Sequence, residues 1–163
     1  MTIRPAKTAD IARIIEIERA ADTAAHWKED EYAAMLADGA PKTASGKTAS
    51  AKRSGVKRFV LVAEERGRVL GFIVAQVATV EWEIENVVVE PQSRRRRLAS
   101  RMIERLLDIA TSRNALSVAL EVRESNSPAR ALYSNAGFAE VGRRPAYYSN
   151  PDEGAMIYRL DLR

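Results

Sequence analysis

Residues 86–107 read NVVVEPQSRRRRLASRMIERLL: a β-branched run, a break at Pro91, four arginines in a row, and then the apolar spacing of a helix. Val87 to Val89 suit a buried strand, bounded by the turn residues that follow. Leu98, Met102, Leu106 and Ile109 recur at helical spacing, widened by Ile103, Leu107 and Ala110, with Arg101, Glu104, Arg105 and Asp108 on the other side. Arg94, Arg95, Arg96 and Arg97 therefore fall where this helix begins. Unpaired N–H groups and the positive end of the helix dipole disfavour a cation there by about 0.3–1 kcal/mol each. A strand, a turn and a helix N-terminus form an anion site, and a bound anion turns that repulsion into attraction, so phosphate is the expected occupant.

Downstream, SVALEVRESNSPARALYSNAGF covers residues 117–138. Val118, Leu120 and Val122 share one face of a strand, and Ala119, Glu121 and Arg123 the other. Ser127 as N-cap, Pro128 in the first helical position and Gly137 at the C-terminal cap predict a short helix, its apolar face carrying Leu132 and Ala136 with Tyr133 beside them. Two strands near 139–143 and 156–160 follow, with Tyr147 to Pro151 as the loop between them.

Upstream, EWEIENVVV alternates, with Glu81, Glu83 and Glu85 on one face and Trp82, Ile84 and Asn86 on the other. RFVLVAEE and VLGFIVAQV form a hairpin about Arg66-Gly67-Arg68. Near the start, Ile3 opens a short strand, Ile11, Ile14, Ile15 and Ala21 give a helical face started by Thr8 or Asp10, and a second helix is predicted around 28–36. The order β, α, α, three strands, α, β, α, β, β predicts the α/β class, a mixed sheet flanked by helices.

The chain has 163 residues, 46% of them hydrophobic, which predicts one domain over 1–163 with a single core. It has no apolar run of about 18 residues and no secretory stretch at its start, so a soluble cytoplasmic protein without a membrane partner is expected. There is no cysteine and one histidine, His26, which excludes disulfides, thiolate metal sites and a cysteine acyl-enzyme. A Ser-His-Asp triad lacks its elbow motif, and no metal is expected.

The net charge of +4 is unevenly placed. Six of the 26 cations lie between Gly39 and Arg58 with no acid among them, leaving 20 cations against 22 acids elsewhere. Residues 39–57 form a basic, low-complexity insert, with KTASG repeated as KTASA and no large apolar residue between Pro41 and Val56. They read as a surface loop, and contact with nucleic acid is expected only through them.

These segments resemble the GCN5-related N-acetyltransferase superfamily, and within it the ribosomal-protein N-terminal acetyltransferases of the RimI type. LEVRESNSPARALYSNAGF carries the resemblance, being close to the family pattern LEVR-x-SN…A…LY…GF. The similarity extends over residues 85–160, is partial over the first 36, where Trp27 falls at a tryptophan position of the family, and is absent across the insert. It implies a central mixed, mostly antiparallel sheet of about six to seven strands with one splayed parallel pair, flanked by about four helices.

The resemblance also implies the site. Acetyl-CoA would lie where the parallel strands part, its pantetheine arm along Val87, Val88 and Val89. Its pyrophosphate would rest on the turn Arg94-Arg95-Arg96-Arg97-Leu98-Ala99, with Ser100 next, and Asn126 would contact it beyond the second strand. Glu121 matches the general base and Tyr133 the general acid that protonates the coenzyme A thiolate. The Val89 amide would stabilise the oxyanion, while Tyr147, Tyr148 and Glu85 would receive the acceptor. The implied acceptor is the α-amine of a protein or peptide, in this family a ribosomal protein. A lysine side chain, a small-molecule amine and a non-catalytic acyl-CoA-binding module are the alternatives. One position departs from the family: Arg97 stands where it has glycine, which permits close approach of backbone to phosphate; with ordinary helical dihedrals its N–H would still donate, and its side chain would add a charge-assisted contact.

Overall fold

The computed structural model describes residues 1–22, 24–39 and 56–163. The expected insert thus lies, over residues 40–55, outside the described residues. The elements follow the predicted order: β1 (Thr2–Pro5), a 3-10 turn (Thr8–Asp10), α1 (Ile11–Arg19), α2 (Glu29–Gly39), β2 (Lys57–Glu65), β3 (Arg68–Val77) and β4 (Glu81–Val89). After a second 3-10 turn (Pro91–Ser93) come α3 (Leu98–Ser112), β5 (Ser117–Arg123), α4 (Ser127–Asn135), β6 (Ala139–Tyr148) and β7 (Glu153–Asp161). The seven strands make one sheet in the order β1-β2-β3-β4-β5-β7-β6, in which only β4 and β5 run parallel. Among the described residues no helix is long and apolar enough to cross a membrane.

The sheet separates two apolar layers, so the single core expected from size is in fact two. On β2, Leu61 and Ala63 belong to the layer under α3, whereas Val60 and Val62 belong to the layer under α1 and α2. Alternate residues of a strand point to opposite faces, so helices are needed on both sides to keep such a strand dry. Leu98, Met102, Ile103, Leu106 and Ala110 of α3 fill the first layer with Trp82, Leu120 and Phe138. Ile11, Ile14 and Ile17 of α1 fill the second with Tyr32, Phe72 and Val88.

The alternation expected along β4 does not run through the whole strand. Val74 pairs with Asn86 and Ala75 with Ile84, so Glu85 is an extra residue, a β-bulge. Trp82 and Ile84 face the α3 layer, but Asn86 and Val88 face α1, because the added residue resets the two-residue period.

Two further boundaries differ from expectation. Asn126, not Ser127, caps α4, since its Oδ1 accepts the Ala129 N–H at 3.2 Å and Ser127 is already helical. Strand β6 runs on to Tyr148, so Tyr147 and Tyr148 end a strand rather than begin a loop.

At the far end of β4, Glu90 is 5% exposed and receives Ser93 Oγ at 2.7 Å, Arg68 at 2.9 Å and Arg13 from α1. Burial alone would raise its pKa, but the Ser93 hydroxyl and the two arginines hold it below the usual carboxylate range. It ties the first helix to the turn that starts the arginine run.

Close to that turn, a Cβ on Gly71 would stand 2.7 Å from the Val88 carbonyl oxygen and 3.3 Å from Met102 Cε. Gly71→Ala is therefore expected to destabilise the protein by about 1–3 kcal/mol, read as a lower denaturant midpoint at unchanged m value.

Candidate active site

Strands β4 and β5 pair only from Glu81–Ser117 to Ile84–Leu120. Past that point β4 stays with β3 through Val89 and β5 stays with β7 through Arg123, so the parallel strands part. The bulge at Glu85 stands where they separate. Between them lies a cavity of about 290 Å³, lined by Glu85, Asn86, Val87, Glu121, Arg123, Asn126, Ala129, Tyr133 and Tyr148, and closed on one side by Asp22, Ala24 and Ala25 from between α1 and α2.

Glu121, whose side chain is 15% exposed, forms an ion pair with Arg144 Nε at 2.9 Å. The Tyr147 hydroxyl also meets it, and this contact pushes the Tyr147 phenol up. The Tyr147 ring lies edge-on to Tyr148, 5.0 Å between centroids, and Arg123 sits 4.3 Å over the Tyr148 ring. At the cavity, Glu85 is held by Arg58 in a two-pronged contact at 2.6 and 3.0 Å, whereas Glu81, at the paired start of β4, meets Arg159 at 2.8 Å. Among the described residues Glu83 has no ion pair, and burial together with Glu121 and Glu85 raises its pKa. The site thus carries three neighbouring carboxylates, Glu83, Glu85 and Glu121, two of them paired with arginines.

Tyr133 is 8% exposed and packs on Phe138 and Tyr158 at 6.0 and 6.4 Å. Burial, reinforced by Tyr148, pushes its phenol well above the ordinary value, so it remains protonated at neutral pH and can serve as a proton donor. Asn126 spends its Oδ1 on the α4 cap, which leaves Nδ2 as a donor beside the cavity.

A second hollow, about 360 Å³, adjoins the same stretch of β4 and α4. Val89, Arg94, Arg95, Arg97, Leu98, Ala99, Ser100, Pro128 and Leu132 line it. No backbone carbonyl among the described residues accepts from the N–H groups of Arg95 to Ser100. These open donors head a helix of 15 residues, an arrangement able to receive an anion. The four arginines are not equivalent there. Arg96 turns away to grip Glu65 at 2.8 and 3.0 Å, and Arg94 Nε donates to the Val89 carbonyl at 3.3 Å.

Arg97 does not have ordinary helical dihedrals. It adopts φ 61° and ψ 20°, the left-handed region, and Arg95 has φ 62°. Glycine takes this conformation freely, whereas a residue with a Cβ is strained by about 1–2 kcal/mol. The backbone shape is thus that of a glycine turn, carried by an arginine.

Of the remaining expected residues, Val87 lines the cavity and Val89 the adjoining hollow, while the Val88 side chain is buried under α1. The sequence reading missed Arg144, Arg58 and Glu18. Arginine spacing on a strand carries no pairing signal, but Glu18 lies on the apolar stripe of α1, four residues after Ile14, where a carboxylate is out of place.

An acid–base end and an anion-binding end along one strand and one helix fit an elongated phosphorylated thioester such as acetyl-CoA. The sequence pattern of the Acetyltransferase (GNAT) family matches residues 12–138. Ribosomal protein bS18-alanine N-acetyltransferase of Escherichia coli K12 is 35% identical over 100 residues, 60% of this chain and 68% of that one. The crystal structure of the ribosomal-protein-S18-alanine N-acetyltransferase from Escherichia coli superposes with a TM-score of 0.76 at 29% identity, covering 99% of this chain and 93% of that one. The fold is also that of yncA from Salmonella typhimurium, solved with its cofactor acetyl-CoA, at TM-score 0.77 and 22% identity, covering 100% of this chain and 94% of that one.

Strain at Arg97 makes a separable prediction. Arg97→Gly should stabilise the protein by up to about 1 kcal/mol in chemical denaturation, whereas Arg97→Ala, which keeps a Cβ at positive φ, should not.

Proposed function

Because the chain belongs to the Acetyltransferase (GNAT) family and takes its acetyl group from acetyl-CoA, we propose that it acetylates the N-terminal α-amine of a protein, with a ribosomal protein of the S18 kind as the acceptor. The observation that carries this reading is that Glu121 and Tyr133 line one cavity between the parting strands, next to a helix end with open N–H donors. The similarity to the alanine N-acetyltransferase of Escherichia coli supports the choice of acceptor.

Acetyl-CoA supplies a thioester carbonyl open to attack by an uncharged amine. The residues of this chain do the rest. An α-amine has a pKa near 7.7–8.0 against about 10.4 for lysine, so a carboxylate base is strong enough to take its proton. Glu121 is that base, directly or through one water. The carboxylates of Glu83 and Glu121 draw the ammonium form in, and Tyr147 and Tyr148 wall the path of the peptide. Tyr133 holds a proton at Oη for the departing thiolate, which its burial keeps in place. The N–H groups from Arg95 to Ser100, with the side chains of Arg94, Arg95 and Arg97, hold the pyrophosphate, and the Asn126 amide adds a donor. The Val89 N–H serves the developing oxyanion. With no cysteine in the chain to carry an acetyl group, attack occurs within a ternary complex and kinetics are sequential.

Two substitutions and a pH profile test this. Glu121→Gln and Tyr133→Phe should each lower kcat by about 10²–10⁴-fold while calorimetric binding of acetyl-CoA is retained. For the wild-type enzyme and a peptide with a free α-amine, kcat/KM should rise through about pH 8 as the amine loses its proton. It should then stay level to about pH 10, because the neutral form of Tyr133 is the active one and its raised pKa extends that form upward. Mass spectrometry locates the product: acetyl on lysine side chains, with none on the α-amine, would sink the proposed acceptor.

A further inference from the structure

The proposed chemistry leaves one deeply buried acid without a task. Glu18, in the last turn of α1, is 1% exposed. It accepts the Tyr32 hydroxyl at 2.7 Å and Asn86 Nδ2 at 3.2 Å, both from buried residues, and the Trp27 backbone amide and His26 lie against it. One carboxyl therefore joins α1, α2 and the residue of β4 that follows the bulge.

Burying a carboxyl is costly unless its hydrogen bonds are complete, and Ile11, Ile14 and Ile17 already supply the apolar contacts of α1. What Glu18 adds is position. The chain leaves α1 just past it, lines the cavity with Asp22, Ala24 and Ala25, and returns to it at Trp27 and Tyr32. Its third partner, Asn86, lines the same cavity. The arginine turn leads into α3, whose apolar side chains pack on the other face of the sheet, and among the described residues no hydrogen bond joins the turn to this network.

We propose that Glu18 is a positioning residue that, through Tyr32 and Asn86, fixes the acceptor-side wall of the cavity and so sets affinity for the acceptor without setting affinity for acetyl-CoA. This rests on the reading of the cavity as the place where the acceptor amine meets Glu121. Burial pushes the Glu18 carboxyl up, against the opposing influence of Tyr32 and His26, so the neutral amide of Glu18→Gln is a close replacement that keeps an accepting oxygen.

The test uses the full chain, Glu18→Gln, Glu18→Met and Tyr32→Phe, with acetyl-CoA and a hexapeptide bearing a free N-terminal alanine. Two quantities are read: the separate KM values for peptide and acetyl-CoA, and amide hydrogen exchange of Ala20 to Asp22 and Ala24 to Lys28 against that of α3. Glu18→Met and Tyr32→Phe should raise the peptide KM about fivefold to tenfold, leave the acetyl-CoA KM within about twofold, and speed exchange in the wall but not in α3. Glu18→Gln should bring both readouts back towards wild type. An unchanged peptide KM overturns the proposal, as does a parallel rise of both KM values with faster exchange in α3. If Glu18→Met does not fold, Tyr32→Phe and Glu18→Gln decide by the same criteria. If the wild-type enzyme transfers nothing to the peptide, the α-amine reading fails by itself. The exchange contrast then decides the positioning role, faster exchange confined to the wall supporting it and equal exchange refuting it.

Discussion

Everything at the site depends on one extra residue in β4. Were Glu85 taken into regular pairing rather than bulged, the strand would keep its two-residue period and Asn86 would face α3 with Trp82 and Ile84. With the bulge, the strand presents Trp82 and Ile84 to one layer and Asn86 and Val88 to the other, and its pairing with β5 stops after Ile84. The same residue therefore opens the cavity and directs Asn86 towards Glu18. A bulge in a central strand gives up ladder hydrogen bonds, and here the backbone edge beyond Ile84 is left without a β5 partner.

The arginine turn answers a second constraint, that of placing like charges together at the positive end of a helix. Two of the four cations are partly spent within the chain, Arg96 on Glu65 and Arg94 on the Val89 carbonyl, and the carboxylate of Glu90 lies beneath the turn. The repulsion is thereby spread over neighbours on β2 and β4. Arg95 and Arg97, both at positive φ, are left beside the open N–H groups. Glycine would give the turn at no strain, but arginine gives it with an added positive charge.

The element order, the α3 stripe, the carboxylate at the end of β5 and the place of the arginines at the start of a helix were all legible in the sequence, because each is written in local periodicity or in a broken local rule. The bulge was not. EWEIENVVV alternates smoothly on paper, and an inserted residue in a strand shows only when the partner strand is placed beside it. The pairs Arg144–Glu121 and Arg58–Glu85 were hidden for the same reason, since they join strands far apart in the chain. The expected N-cap at Ser127 missed by one position because Asn and Ser are nearly equal as caps, and the geometry favoured the longer reach of Asn126. Glu18 was legible in principle as an acid on an apolar stripe, yet its three partners come from two other elements and the intervening loop.

The two halves of the sheet, β1 to β4 and β5 to β7, meet through only four residue pairs. An extended ligand lying along Val87 to Val89 in the proposed manner occupies the place of the missing strand contact and bridges the halves. Donor binding is then coupled to folding by mass action: at a hundred times its dissociation constant such a ligand adds about 2.7 kcal/mol to the stability of the native state. The native state would accordingly be more stable with acetyl-CoA bound than without it, by an amount set by the ligand concentration relative to its dissociation constant.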